Sequence, residues 1–348
     1  MRLSLPQRDC GRSRRSEIKA LRIERPNTAQ VVDLPLPEPA ESAVRIKVLA
    51  SGICGTDIHI FRGEYMGGYP VIPGHEFSGI IDQVGTGVTR FKTGERVAVE
   101  PNIACDNCYN CLHNRQNFCL NWQAVGVTRP GGMAQYVAVP EKAVFATGDL
   151  PFEQGAFMEP LSCVLHGLER ARIHMADQVA ILGAGPIGIL LLQTARLQGA
   201  AQVTVVDKNP ARAEFARACG ADRSALSLDG LEEDRYDAVI DATGAIPVME
   251  RSIDLSRHGG TVLWFGVPPA GHRVSVEAFK VFRKGLMVLS SFTSVRNSYQ
   301  ALALLQSGQV DVSGLISHRL PLEAFERGVE LVEQGLDGVR KVMILPHH

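Results

Sequence analysis

Charge of one sign is what this sequence has least of. Its 36 Lys and Arg stand against 37 Asp and Glu, a formal net charge of -1, so no whole-chain field favours nucleic acid as a partner. Long apolar runs are also missing. The longest, "QVAILGAGPIGILLLQ" from residue 178, is cut by Gly and Pro and is too broken to read as a membrane span. The first sixteen residues, "MRLSLPQRDCGRSRRS", carry five Arg and no apolar stretch of secretory length. They read as a basic extension, expected to be disordered, and not as a signal peptide. Without export the expected location is the cytoplasm, where thiols stay reduced and disulfides are disfavoured.

What is present is chain enough for two domains, 348 residues, with length for two hydrophobic cores. Half of the eight cysteines lie in "CDNCYNCLHNRQNFC", residues 105 to 119. Cys105, Cys108, Cys111 and Cys119 follow the spacing C-x2-C-x2-C-x7-C. Two-residue gaps in a turning backbone let successive thiolates converge at about 2.3 Å on one tetrahedral zinc ion. Four thiolates leave no open position, so this zinc is expected to be structural, tying down a lobe at about residues 100–122. Free thiols or paired disulfides are the plainer alternative.

A second set is mixed. "SGICGTDIHIFRGEY", "YPVIPGHEFSGII" and "GAFMEPLSCVLHG" contain Cys54, His75, Glu76 and Glu159. One thiolate, one imidazole and up to two carboxylates from distant segments are the pattern of a catalytic zinc, which keeps a position for water or substrate. Singly, each has an ordinary reading as a buried thiol, a cap or a surface group.

From residue 178 a short apolar strand runs into Gly183-Ala184-Gly185-Pro186-Ile187-Gly188, then a helix, then the strand "VTVVD" ending at Asp207. Gly183 permits the tight turn, Gly185 lets backbone reach a pyrophosphate, and Gly188 allows close helix-to-strand packing. The helix N-terminus faces the phosphates. Asp207, nineteen residues after Gly188, can accept hydrogen bonds from ribose hydroxyls and would repel a 2′-phosphate, favouring NAD over NADP. Lys208 and Arg212 are nearby cations that leave NADP tolerable. "YDAVIDATG" and "GGTVLWFGVP" read as further buried strands, whose ends at Thr243, Gly266 and Val267 are expected to line the cofactor crevice.

With these pieces in order, the chain resembles the zinc-dependent medium-chain dehydrogenase/reductase family, and within it the sorbitol or polyol dehydrogenase branch. "GxxCGTDxHxxxG", "PxxxGHEFSGxI", the four-cysteine loop, "EPLSC", the glycine motif and "VTVVD" carry the resemblance, which runs from about Ile18 to Pro346. It implies an α/β protein with a GroES-like, mostly β catalytic domain at 17–159 and 296–348. A Rossmann NAD-binding domain, a doubly wound parallel sheet, would be inserted at 160–295. It implies zinc twice, once catalytic and once structural. Cys54 and His75 would be ligands of the catalytic ion, Glu76 a third, and Glu159 a ligand directly or through water. Thr56 would take the alcohol proton, His59 would pass it towards solvent, and Asp57 would fix the tautomer of His75.

The activity so implied is reversible hydride transfer between a secondary alcohol, a sugar alcohol, and NAD. Ile60, Phe61, Phe118 and Phe292 would wall the substrate pocket. Thr293 stands where the polyol branch tends to carry Arg, which leaves sugar acids, sugar-alcohol phosphates and threonine as alternative substrates. A zinc-free reductase branch lacks these ligands, and a non-catalytic zinc and NAD sensor is the rival from a different class. The family also implies a homodimer or homotetramer, with strands near "TVLWFGV" and "LMVLSSF" pairing across the interface.

Overall fold

The computed structural model describes residues 17–348; the expected N-terminal extension, 1–16, lies outside them. Between them run two large sheets with different logic. The first has six strands, in spatial order Arg223–Ala225, Gln202–Val206, Gln178–Leu182, Tyr236–Asp241, Ser256–Trp264 and Met287–Ser290. All five pairings are parallel. In chain order this is 3-2-1-4-5-6, the doubly wound order whose direction reverses beside Gln178–Leu182. The strand is buried over "VAIL", and the following helix Pro186–Leu197 buries Ile189, Leu190, Leu191 and Leu192. Such runs, apolar on every side, are what a sheet covered on both faces requires.

The second sheet has seven strands and is mostly antiparallel, with Ala43–Gly52 at its centre between Glu76–Val84 and Lys341–Ile344, and Tyr136–Pro140 also pairing to it. The C-terminal strand therefore returns to a sheet begun some three hundred residues earlier, Met343 opposite Gly52. This is the mostly β, GroES-like layer beside a Rossmann layer that the family resemblance implied.

Helix Met158–Ala171 leads from one sheet to the other. Its buried face, Leu161, Val164 and Leu168, shares one hydrophobic core with Val179 and Ile181 of the parallel sheet and with Ala50 and Met343 of the antiparallel one. Its first turn thus carries Glu159 to the junction. Of the two strands expected at an interface, only Met287–Ser290 is an edge; Ser256–Trp264 is flanked on both sides.

Candidate active site

The mixed ligand set is assembled by a helix cap. Cys54 precedes helix Gly55–Arg62, and Asp57 in the first turn accepts the Cys54 backbone N–H at 2.9 Å. The other oxygen of this fully buried carboxylate accepts Gly74 N–H at 3.1 Å and lies 3.4 Å from His75 Nδ1. Asp57 so binds the two segments that carry Cys54 and His75. The Cys54 thiol, the His75 imidazole and the Glu76 carboxylate bring ligand atoms within 4.8 Å of one another. One sulfur, one nitrogen and one carboxylate oxygen, gathered at the floor of a cavity, fit a zinc ion with an exchangeable position. Burial works against a charged His75, and Asp57 and Cys54 overcome it, raising its pKa well above the ordinary value.

Glu76 is 2 % exposed, and its carboxylate is paired with the ammonium of Lys341, itself 4 % exposed. A Cβ at Gly52 would stand 2.5 Å from Glu76 Oε2 and 2.7 Å from Lys341 Cε. A side chain at this position would force the pair to shift. Burial opposes the charge on Lys341, and Glu76 followed by Cys54 more than restores it, so its pKa is raised. Nothing in the sequence reading marked Lys341; the signal was a lysine opening the apolar run "KVMIL".

Glu159 lines the same cavity but falls outside the group of converging ligand atoms. Its Oε1 accepts the Cys163 thiol at 3.3 Å. Direct ligation, one of the two roles expected for it, would require its carboxylate to move towards the converging ligand atoms. Burial, opposed by His75 and reinforced by Glu76 and Glu100, pushes its carboxyl up to about 7.

The dinucleotide turn follows the strand Gln178–Leu182. Gly183 adopts φ +113° and Gly185 precedes the helix with Pro186 in its first turn. A Cβ on Gly188 would lie 1.9 Å from the Gly183 carbonyl oxygen, whereas a Cβ on Gly185 would meet nothing within 4 Å. The first measures close packing; the second is open space at a helix N-terminus, a cradle suited to a pyrophosphate. Asp207 accepts Ala184 N–H at 2.8 Å and Asn209 N–H at 2.9 Å, which anchors its carboxylate over the glycine turn. Arg212 donates to the Val339 carbonyl oxygen at 3.5 Å. At the next strand end, Thr243 donates to Asp241 through its hydroxyl at 2.6 Å and its N–H at 2.9 Å.

A cavity of about 340 Å³ joins the halves. Thr56, His59 and the three ligand residues line one side, and Gly185, Pro186, Ile187, Thr243, Gly266 and Val267 the other. Gly183, Gly188, Asp207 and Arg212 are not on its wall. His59 Nδ1 meets Glu64 Oε2 at 2.9 Å. Tyr65, Asn102, Trp122, Cys163 and Ser291 line it as well and escaped the sequence reading, because no local spacing announces a pocket wall. Of the four expected pocket residues, only Phe292 faces the cavity; Ile60 and Phe61 are core side chains beside Phe325, and Phe118 stacks on Phe292 from outside. The wrong pair point inward from the helix because an amphipathic helix gives its large apolar residues to the core first.

The four-cysteine loop closes on itself. Cys105 and Cys119 sulfurs are 3.4 Å apart, Cys108 and Cys111 3.5 Å, and Cys108 and Cys119 4.0 Å. The backbone N–H of Asn107, ahead of other hydrogen bonds, lowers the Cys105 thiol to about 6, while burial and its neighbouring thiols push Cys111 up to about 12. Four sulfurs crowded in this way fit a tetrahedral zinc site.

A parallel nucleotide-binding sheet facing a mixed sulfur, nitrogen and oxygen site across one cavity defines an oxidoreductase of the zinc- and nicotinamide-dependent dehydrogenase class. Comparison with known proteins agrees. Residues 40–149 match the alcohol dehydrogenase GroES-like domain and residues 186–307 the zinc-binding dehydrogenase domain. D-altritol 5-dehydrogenase of Agrobacterium fabrum is 40% identical over 299 residues, 84% of this chain and 88% of that one. D-arabinitol dehydrogenase 1 of Uromyces fabae is 32% identical over 327 residues, 90% and 94%. The crystal structure of a candidate zinc-binding dehydrogenase from Sinorhizobium meliloti 1021, bound to NADP, superposes with TM-score 0.91 at 35% identity, covering 95% of this chain and all of that one. The chain belongs to the zinc-dependent medium-chain dehydrogenase/reductase family. No helix among its described residues is long and apolar enough to cross a membrane.

Proposed function

We propose that this protein reversibly oxidises a secondary hydroxyl of a neutral sugar alcohol to the ketone, using NAD. The observation that carries the substrate class is the lining of the cavity. Among the described residues it contains hydroxyl, amide, imidazole and carboxyl groups and rings, but no Lys or Arg. At the end of the substrate remote from the catalytic zinc, a phosphate or sugar-acid carboxylate would lose its hydration with no Lys or Arg in exchange, which costs several kcal/mol per ion; an uncharged polyol bears no such cost. The carboxylate of threonine meets the same difficulty. Similarity to enzymes named for altritol and arabinitol points the same way.

In this reading Cys54, His75 and Glu76 hold the catalytic zinc, with Glu159 reaching it at most through water, and Cys105, Cys108, Cys111 and Cys119 hold the structural one. When bound, zinc supplies a Lewis acid for the alcohol oxygen and NAD accepts the hydride. Thr56 relays the hydroxyl proton, taking it as it gives its own to the ribose hydroxyl, from which His59, one turn further along the same helix, carries it outward. Glu64 at Nδ1 leaves His59 Nε2 free to receive it. Asp57 orients His75 and raises its basicity as a ligand. Gly183, Gly185, Pro186, Ile187 and Gly188 seat the pyrophosphate, Asp207 binds the ribose hydroxyls and disfavours a 2′-phosphate, Arg212 flanks the adenosine end, and Thr243, Gly266 and Val267 border the nicotinamide.

We further take 17–159 with 296–348 as the catalytic domain and 160–295 as the NAD-binding domain, with a homodimer as the minimum assembly. Its support is an edge strand, Met287–Ser290, together with the exposed rings of Phe279 and Phe282 on the helix that precedes it in the chain, since pairing removes an open edge. The described cysteines are all free, as a cytoplasmic protein permits.

The test is steady-state NAD reduction at 340 nm by zinc-loaded enzyme on pentitols, hexitols, aldonates, polyol phosphates and threonine, with NADP as control. Turnover confined to the neutral polyols is expected. Preference for a phosphate, an acid or threonine would refute the charge argument, and no turnover at all would favour a sensor.

A further inference from the structure

The four-cysteine loop is read above as a structural clamp, yet its side chains reach a wall of the cavity. Asn117 sits between Cys111 and Cys119 and is 3 % exposed. It donates Nδ2 to the Phe292 carbonyl oxygen at 2.8 Å, across 175 residues of sequence. Phe118 stacks on the Phe292 ring, centroids 5.9 Å apart and 21° from parallel. Trp122 packs on the same ring at 6.0 Å and donates Nε1 to Asn102 Oδ1 at 3.1 Å.

The chain continues past Phe292 under the same restraint. Asn102 gives both its N–H and its side-chain amide to Glu100 Oε1, at 3.1 and 2.5 Å. Glu100 Oε2 accepts the hydroxyls of Ser294 at 2.9 Å and Ser298 at 2.8 Å. Between these anchors Thr293 and Arg296 adopt φ +52° and +58°, left-handed conformations that non-glycine residues keep only where surrounding contacts over-determine them. Phe292 and Thr293 face the cavity, as do Asn102 and Trp122. The segment leaves the parallel sheet, so the lobe reaches from the metal-site side to shape what the cofactor side contributes.

We infer that the four-cysteine lobe is a specificity element of the substrate cavity, in which Asn117 is a positioning residue that fixes Phe292 and Thr293 as the wall met by the far end of the substrate. The inference rests on the polyol reading above. Its mechanism is geometric. A long polyol touches this wall with carbons remote from the reacting one, whereas a short diol ends before it, so loosening the wall weakens binding of the long substrate and leaves the reacting groups in place.

The test is Asn117→Ala in full-length, zinc-loaded enzyme, with Asn117→Asp, which keeps size and removes the donor, and Phe118→Leu, a change on the half-exposed face of the stack. For hexitols KM is expected to rise about tenfold, the scale of one lost hydrogen bond and its alignment, with kcat within about twofold. KM for butane-2,3-diol and for NAD, and zinc content, stay at wild-type values. An unchanged hexitol KM overturns the inference, and so does an equal rise for hexitol and diol, or loss of zinc from a variant that accounts for its defect. If Asn117→Ala does not fold, Asn117→Asp and Phe118→Leu decide by the same criteria. Wild-type enzyme inactive on every neutral polyol would instead sink the substrate reading, and this inference with it.

Discussion

Replacing Lys341 by Met removes the one cation that forms an ion pair with Glu76 among the described residues. Lys341 and Glu76 are 4 % and 2 % exposed, and they pair beside Gly52, whose missing side chain leaves just enough space. Met keeps most of the volume, so the loss is electrostatic. An uncompensated buried carboxylate costs roughly 3–5 kcal/mol. Adding Glu76→Gln removes the orphaned charge, and the double variant is expected to recover about half or more of that loss, a coupling on the order of 2 kcal/mol. The assay is urea unfolding of chelator-treated protein followed by circular dichroism, scored on the transition of the metal-site domain, because two domains need not unfold together. Zinc gives Glu76 a second cation, so the penalty of Lys341→Met should shrink when the enzyme is zinc-loaded. A single-variant loss under about 0.5 kcal/mol, or equal losses in single and double variants, would refute the claim that this pair organises the site.

Gly188→Ala is expected to displace the glycine turn, since its Cβ would stand 1.9 Å from the Gly183 carbonyl oxygen; calorimetric titration should show NAD binding weakened by about tenfold or more, with zinc content unchanged. Asp207→Ala should raise NADP turnover relative to NAD by roughly tenfold or more through lost repulsion, although it also frees the N–H groups of Ala184 and Asn209; an unchanged ratio would mean that Asp207 does not read the ribose. Thr56→Val should lower kcat by about a hundredfold while Thr56→Ser stays near wild type, which single-turnover kinetics with preformed enzyme and NAD can separate from binding.

The parallel sheet was legible because its signals are local. Strand, glycine turn, helix and acid follow one another within thirty residues; Gly183 and Gly188 answer steric demands that their neighbours impose, while Gly185 leaves open space at the helix N-terminus. The four cysteines were legible for the same reason. Residue types alone left the second metal set a list of candidates, and it was the family resemblance that joined Cys54 to His75; in the fold Asp57 makes them meet, by accepting N–H groups from Cys54 and from Gly74, the residue before His75.

What sequence concealed was closure over long range. Lys341 reaches Glu76 because the last strand pairs with the strand that ends at Gly52, and no window of the chain contains that contact. Phe61 was misjudged for a related reason, since an aromatic ring on a helix beside a ligand is equally suited to pocket and core, and the choice fell to Phe325, packed edge-on at 5.7 Å. The two cases share a physical cause. A catalytic centre at a junction of sheets is built from side chains whose partners arrive late in the chain, so its donor atoms are written locally while their charge balance and their walls are set by topology. That division predicts where relatives with the same ligand residues can diverge in substrate: at Phe292 and Thr293 and the lobe that holds them, not at Cys54 or His75.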